Sequence, residues 1–376
     1  MPMGIQARIG EMIRQQVAEG RQIGVQVCVY HEGEVVVDDV AGQMGPEDTR
    51  PVQLDTLFCG FSATKGVAAT AIHILADRGQ LDYDAPVVKY WPSFGKNGKE
   101  QMTIAQALSH QGGLHAMPES FVPEHLTDFA AGMKRMEEAT PAYEPGAACG
   151  YHAVTFGWIA GGIVLGASGR HIKDFIHTEI AEPLGMGAEL FVGIPDGVEE
   201  RLATLEILAA GDGLPIPDDA DFYKAMPKAM WPYYNTMRVR KACLPSANGH
   251  FSARALAKMY AALAEGGSIG GTRLVSGGRI EAMRRIMTSG VDRVLGMPAN
   301  KGIGFQMGGE NNGIHGPMGR SSQTFGHSGA GGSVGFCDPD TRLAVGLTIN
   351  KMQYPGPGQG TTLEICDAIR GELGLA

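Results

Sequence analysis

The chain has 376 residues, too many for one simple core and enough for two packed lobes, and 44% are hydrophobic against 19% charged, as in an ordinary globular protein. A formal net charge of −9, with no basic run, argues against nucleic acid or an anionic membrane surface as the main partner. The six cysteines lie far apart without a C-x-x-C pair, which reads as buried thiols in a reducing compartment.

The first segment, "MPMGIQARIGEMIRQQVAEG", alternates apolar and charged residues with a helical period. It lacks the unbroken apolar stretch of a secretion signal, so a cytoplasmic protein is expected. "GVQVCVYHEGEVVVDDVAG" holds two strand-like runs, 24–30 and 34–42, joined through His31, Glu32 and Gly33 as a hairpin. "FCGFSATKGVAAT" then opens an apolar helix that ends near Gly79. From 80 to 310 helical periodicity dominates. "FGWIAGGIVLGASG", from Phe156, is too short to span a membrane and reads as a buried helix. "ARALAKMYAALAEGG" has Ser252 as N-cap and Gly266 as stop. The stretch 210–247, rich in Pro, Met and aromatics, shows no period and reads as a long loop. Strand character returns in "TFGHSGAGGSVGFCDPDTRLAVGLTINKM", with Asp338, Pro339, Asp340 and Thr341 as a turn, and a last helix covers 361–372. These elements predict an α/β lobe with an antiparallel sheet from residues 1–79 and 311–376, and a mainly helical lobe inserted as 80–310.

Ser62 and Lys65 lie three apart on the opening turn of the first apolar helix, so hydroxyl and amine can meet on one face. An alcohol is a poor nucleophile until a base takes its proton, and a solvated lysine, with a pKa of about 10.4, is no base at neutral pH. Burial among small apolar neighbours lowers that pKa, and Gly66, Val67, Ala68 and Ala69 supply such neighbours. The spacing alone is weak evidence. It occurs again at Ser93 and Lys96, where Pro92, Gly95 and Gly98 oppose a helix and the pair reads as solvated loop. On Ser62 the competing reading is a helix N-cap followed by a lysine stretched to water. "GGSVG" around Ser333 fits the G-x-S-x-G pattern, but that elbow needs a helix after the serine, and strand, turn and strand follow here.

"FSATKG" resembles the S-x-x-K segment of the serine β-lactamase and penicillin-binding-protein superfamily, closest to its class C, D-aminopeptidase and family VIII carboxylesterase branch. "LSHQGGL", "YEPGAACGYHAVTFGWIAGGI", "EPLGMG" and "FGHSGAGGSVGF" resemble further signatures of that family in the expected order, across nearly the whole chain. The resemblance implies an antiparallel sheet flanked by helices. It also implies that Ser62 is the acylated nucleophile, Lys65 its proton partner and Tyr151 the catalytic tyrosine. Both Lys65 and Tyr151 remain candidates for the first proton acceptor. The oxyanion donors would be the backbone N–H groups of Ser62 and Ala330. His327, Ser328, Gly329, His152 and Trp231 would bind substrate, the last in a loop that reads equally as acyl-pocket wall or as core. Ala153 stands where β-lactamases have asparagine, and His327 where they have the lysine of K-T-G. Both departures point to neutral esters and a serine carboxylesterase, with β-lactamase, D-aminopeptidase, D-Ala carboxypeptidase and acyltransferase as alternatives on the same fold. A catalytically silent binding or assembly protein is the alternative of another class. The expected partner is a small-molecule ester. No metal or organic cofactor is implied, since no H-E-x-x-H or similar ligand spacing occurs.

Overall fold

The computed structural model describes residues 4–375. After helix α1 (Ile5–Ala18) come strands β1 (Gly24–His31) and β2 (Glu34–Gly42), the expected hairpin. Helix α2 (Thr64–Asp77) follows a single 3-10 turn, Phe61–Ala63. Helix α3 (Thr155–Ser168) is the buried run beginning beside Phe156, and helix α4 (Ala253–Ala264) starts at Ser252, whose side chain accepts the Ala255 N–H at 3.1 Å. Strands β3 (Gln306–Met307), β4 (Phe325–Ser328), β5 (Val334–Asp338) and β6 (Leu343–Ile349) precede the last helix, α5 (Thr361–Leu373).

The main sheet runs β2-β1-β6-β5-β4-β3, antiparallel throughout, so the two chain ends supply neighbouring central strands. Alternation along β1 sets its two faces. Val25, Val27 and Val29 join Val334, Phe336, Val345 and Leu347 in a core with Ile9 and Ile13 of α1 and Ile365 and Ile369 of α5. Cys28 and Tyr30 point the other way, into the larger core that contains α2, α3 and α4. Gln26 shares that second face, and its Oε1 accepts the Ala253 N–H at 2.8 Å, pinning the start of α4 to the sheet. Helix α4 therefore packs on the sheet although it lies within the stretch read as helical lobe. Ser333 is buried, and its hydroxyl accepts the Ile349 N–H at 3.2 Å, in keeping with a sheet residue.

The stretch 210–247 departs from its reading as a loop. It is broken into short turns, Asp221–Ala225, Lys228–Asn235 and Met237–Lys241. Pro227 and Pro232 interrupt any longer helix, which is why no period shows in the sequence.

Helices α2 and α4 meet so closely that a Cβ on Gly66 would lie 1.9 Å from Tyr260 Oη. Only glycine fits there, one residue after Lys65. The Tyr260 hydroxyl is buried and has no hydrogen-bond partner among the described residues. Gly66→Ala is expected to destabilise the fold by about 1–3 kcal/mol through overpacking. Tyr260→Phe, which deletes an unsatisfied hydroxyl, should cost little by itself and recover part of that loss in the double variant. Urea denaturation of the three variants checks this, and equal destabilisation by Tyr260→Phe and Gly66→Ala would refute the contact account.

Candidate active site

Ser62 lies in the 3-10 turn just before α2, and Lys65 lies in the first turn of that helix. Phe61, the residue before the serine, is held at φ 43°, a left-handed conformation that costs a side-chain-bearing residue about 1–3 kcal/mol. Its ring is wedged against Tyr234 and Trp231, at centroid distances of 4.7 and 5.8 Å, and its carbonyl accepts the Thr64 hydroxyl at 2.5 Å. Packing thus fixes the turn that presents Ser62.

Lys65 is 0% exposed. Its Nζ lies 3.0 Å from Ser62 Oγ, 2.6 Å from the Ala153 carbonyl oxygen and 2.9 Å from that of Ser246. Burial pushes the amine well below the usual lysine range, and repulsion from Lys301 adds to the shift. An amine that has shed its extra proton keeps two N–H donors and one lone pair. The two carbonyls accept from the amine, and Ser62 Oγ is its third polar neighbour at 3.0 Å.

Tyr151 is 6% exposed, and its ring centroid lies 5.0 Å from Lys65 Nζ and 4.6 Å from Lys301 Nζ. Burial drives its phenol above the ordinary tyrosine value, and hydrogen bonding to Ser62 only partly offsets this. Burial thus favours the neutral phenol over the phenolate.

Strand β4 closes the site from the sheet side. Gly329 approaches the Ser62 turn so closely that a Cβ there would lie 2.1 Å from the Gly60 carbonyl oxygen. Neither the Ser62 nor the Ala330 backbone N–H is consumed by a hydrogen bond among the described residues. His327 is fully buried, with Nδ1 2.7 Å from the Ser328 carbonyl oxygen. A carbonyl can only accept, so Nδ1 carries the proton and Nε2, which has no partner among the described residues, keeps its lone pair. Burial, reinforced by Lys65, holds this imidazole well below the ordinary histidine value.

Residues 9–368 match the family model described as Beta-lactamase. The chain belongs to the beta-lactamase family. Among curated relatives, "Esterase/beta-lactamase LipL" of Mycobacterium tuberculosis is 34% identical over 351 residues, covering 89% of this chain and 79% of the relative. The crystal structure of a family VIII carboxylesterase superposes with a TM-score of 0.89 at 33% identity, covering 99% of this chain and 98% of that one. A penicillin-binding-protein homologue from Caulobacter crescentus gives 0.89 at 34% identity, covering 98% of this chain and 97% of that one.

The structure gives two of the candidate substrate-binding residues of this beta-lactamase-family site other partners. His152 was expected to bind substrate, but its ring is 0% exposed and its Nε2 accepts the Leu114 N–H at 2.9 Å. It packs between His110 and His115, and its backbone N–H donates to His110 Nδ1 at 3.0 Å, so it braces the loop behind Tyr151. Trp231 lies in the core behind Phe61, the second of its two readings, and supports the nucleophile turn instead of walling a pocket. The second S-x-x-K pair behaves as expected: the Ser93 hydroxyl donates to Glu137 Oε1 at 2.5 Å, and Lys96 is exposed.

Sequence reasoning missed four contributors. Ser246 offers its backbone carbonyl to Lys65, and no side-chain motif announces that. His110 belongs to the quoted "LSHQGGL" segment yet was given no role, and its ring centroid lies 4.9 Å from that of Tyr151. Asp292 and Lys301 form a buried ion pair at 3.1 Å beneath Tyr151. Among the described residues no group of three or more His, Cys, Asp or Glu side chains is placed to hold a metal.

His73, His110, His152, His250 and His327 are all buried, with pKa values pushed down by that burial, to about 4 for His73 and about 3 for His152 and His250. Below about pH 6.5 the unfolded chain binds protons at these positions and the native chain does not. Stability must then fall as pH falls, by up to about 1.4 kcal/mol per pH unit for each such histidine. Urea midpoints at pH 7.5 and 5.5 should therefore separate clearly, and coincident midpoints would contradict the buried neutral state of these rings.

Proposed function

We propose that the chain is a serine carboxylesterase in which Ser62, Lys65 and Tyr151 hydrolyse neutral carboxylic esters through an acyl-serine intermediate. The observation that carries this is the Lys65 amine, dry, held by two carbonyls and 3.0 Å from Ser62 Oγ. Membership of the beta-lactamase family and the likeness to an esterase and a carboxylesterase support the same chemistry.

Lys65 takes the Ser62 proton as Oγ attacks the ester carbonyl carbon, and the resulting oxyanion lies between the N–H groups of Ser62 and Ala330. The Tyr151 phenol protonates the departing alkoxide, and the proton on Lys65 restores the phenol. Water then attacks the acyl carbon, passes its proton back through the same pair and frees Ser62 and the acid. Ser328 and Gly329, at the half-buried end of β4, border the path to Ser62. His327 presents a lone pair and no positive charge, which disfavours an anionic substrate and favours a neutral ester.

Among the described residues no helix is long and apolar enough to cross a membrane. The cytoplasmic assignment rests on the six cysteines, all unpaired, which suit a reducing compartment.

Wild-type protein is expected to hydrolyse p-nitrophenyl acetate or butyrate and to be labelled on Ser62 by a fluorophosphonate. Ser62→Ala should lose activity and label. Lys65→Arg introduces a guanidinium that stays protonated and cannot act as a base, so it should fall as far as Lys65→Met, on the order of 10³-fold or more. Faster turnover of nitrocefin than of any short-chain ester would replace the esterase reading with a β-lactamase one.

A further inference from the structure

The Asp292–Lys301 pair lies outside the roles assigned so far. Both side chains are buried, Asp292 at 0% and Lys301 at 1% exposure. Asp292 Oδ1 accepts the backbone N–H of Tyr151 at 3.0 Å, together with those of Val294 at 2.9 Å and Leu295 at 3.0 Å. Its Oδ2 faces Lys301 Nζ at 3.1 Å and the Cys149 thiol at 3.5 Å. Lys301 Nζ in turn lies over the Tyr151 ring. One pair of opposite charges thus grips the backbone and the ring face of the same tyrosine.

We propose that Lys301, anchored by Asp292, is a positioning residue of the ester hydrolysis: its ion-paired amine fixes the Tyr151 ring from one side, while Lys65 meets the same ring beside Ser62, so that charge at Lys301 opposes a second charge at Lys65. The inference rests on the esterase reading above. Burying an ion pair costs desolvation that an apolar pair of the same volume would avoid, so stability alone gives no reason for it. Charge repulsion gives one. The titratable groups facing the Lys65 amine are Tyr151, His110, His327 and Lys301. Those facing Lys301 are Asp292, Cys149, Tyr151, His110 and His152. Burial keeps both the Tyr151 phenol and the His110, His152 and His327 rings uncharged at neutral pH. Lys301 is then the cation whose repulsion bears on the protonation of Lys65.

The readout is the pH profile of kcat/KM for p-nitrophenyl butyrate. Activity requires neutral Lys65, so its acidic limb reports the titration of that amine. Removing the neighbouring cation makes the ammonium form of Lys65 easier to keep, and the limb should move to higher pH by about one unit in Lys301→Met. Lys301→Arg retains the charge and should leave the limb near its wild-type position. If Lys301→Met does not fold, Asp292→Asn combined with Lys301→Met removes both charges without stranding a carboxylate, and a smaller upward shift is expected, because losing the carboxylate offsets part of the lost repulsion. A limb unmoved in the charge-free variants, or moved equally by Arg and Met, overturns the proposal. Ser62→Ala and fluorophosphonate labelling of Ser62 run in parallel. Activity surviving in Ser62→Ala would instead refute the nucleophile assignment, whatever the Lys301 variants show.

Discussion

Everything catalytic in this molecule depends on a primary amine held where water does not reach. An ammonium group in that position would lose its hydration and gain only two carbonyl dipoles in return. Shedding the proton is the cheaper state, and it leaves a lone pair beside the Ser62 hydroxyl, 3.0 Å away. The carbonyls come from Ala153, ahead of α3, and Ser246, ahead of α4, so two remote segments must dock before Lys65 has its chemistry. That docking is itself held by polar contacts. Ser246 Oγ donates to the Val154 carbonyl at 2.7 Å, and Asn248 bonds the Leu244 N–H and the Val239 and Ala242 carbonyls. A loop remote in sequence thereby holds one of the two carbonyls that accept from Lys65.

The sheet supplies the other half. Hydrophobic alternation along β1 faces Gln26 towards α4, while β4 carries His327 to the serine turn and Ala330 just beyond it. Two close approaches set the separation of these parts: Gly66 against Tyr260 and Gly329 against the Gly60 carbonyl. Neither admits a Cβ: Gly66 meets the Tyr260 hydroxyl and Gly329 meets the Gly60 carbonyl, so a larger residue at either position would push these parts of the site apart. The left-handed Phe61 adds local strain that the surrounding aromatic rings overcome.

What was legible in the sequence was local. The hairpin, the N-cap at Ser252, the buried α3 run and the Ser62–Lys65 spacing each depend on residues within a turn or two of one another, where period and composition speak directly. Tyr151 needed the family pattern, because nothing about an isolated tyrosine announces a phenol. Asp292 and Lys301 look like surface charges in a polar stretch, and their meeting Tyr151, 141 residues away from Asp292, is written only in three dimensions. Whether His152 faces Ser62 could not be read from its place beside Tyr151. In the irregular segment ahead of α3 its ring turns instead to the Leu114 N–H. The Ser93–Lys96 pair makes the converse point: identical spacing, with neither burial nor carbonyls around the amine, yields no base.

Lys65 and Lys301 present the sharpest contrast. Both amines are almost wholly withdrawn from solvent, and both lie within 5.0 Å of the Tyr151 ring centroid. Burial alone cannot decide which of them is the base. Their partners decide it. Lys301 faces a carboxylate that, against the burial opposing its charge, Lys301 and backbone N–H groups hold below the usual carboxylate range. Lys65 faces two carbonyls and a hydroxyl, none of which offers a full negative charge. Two residues of the same type, similarly dry, thus differ in the presence or absence of one counter-ion. The tyrosine between them senses both.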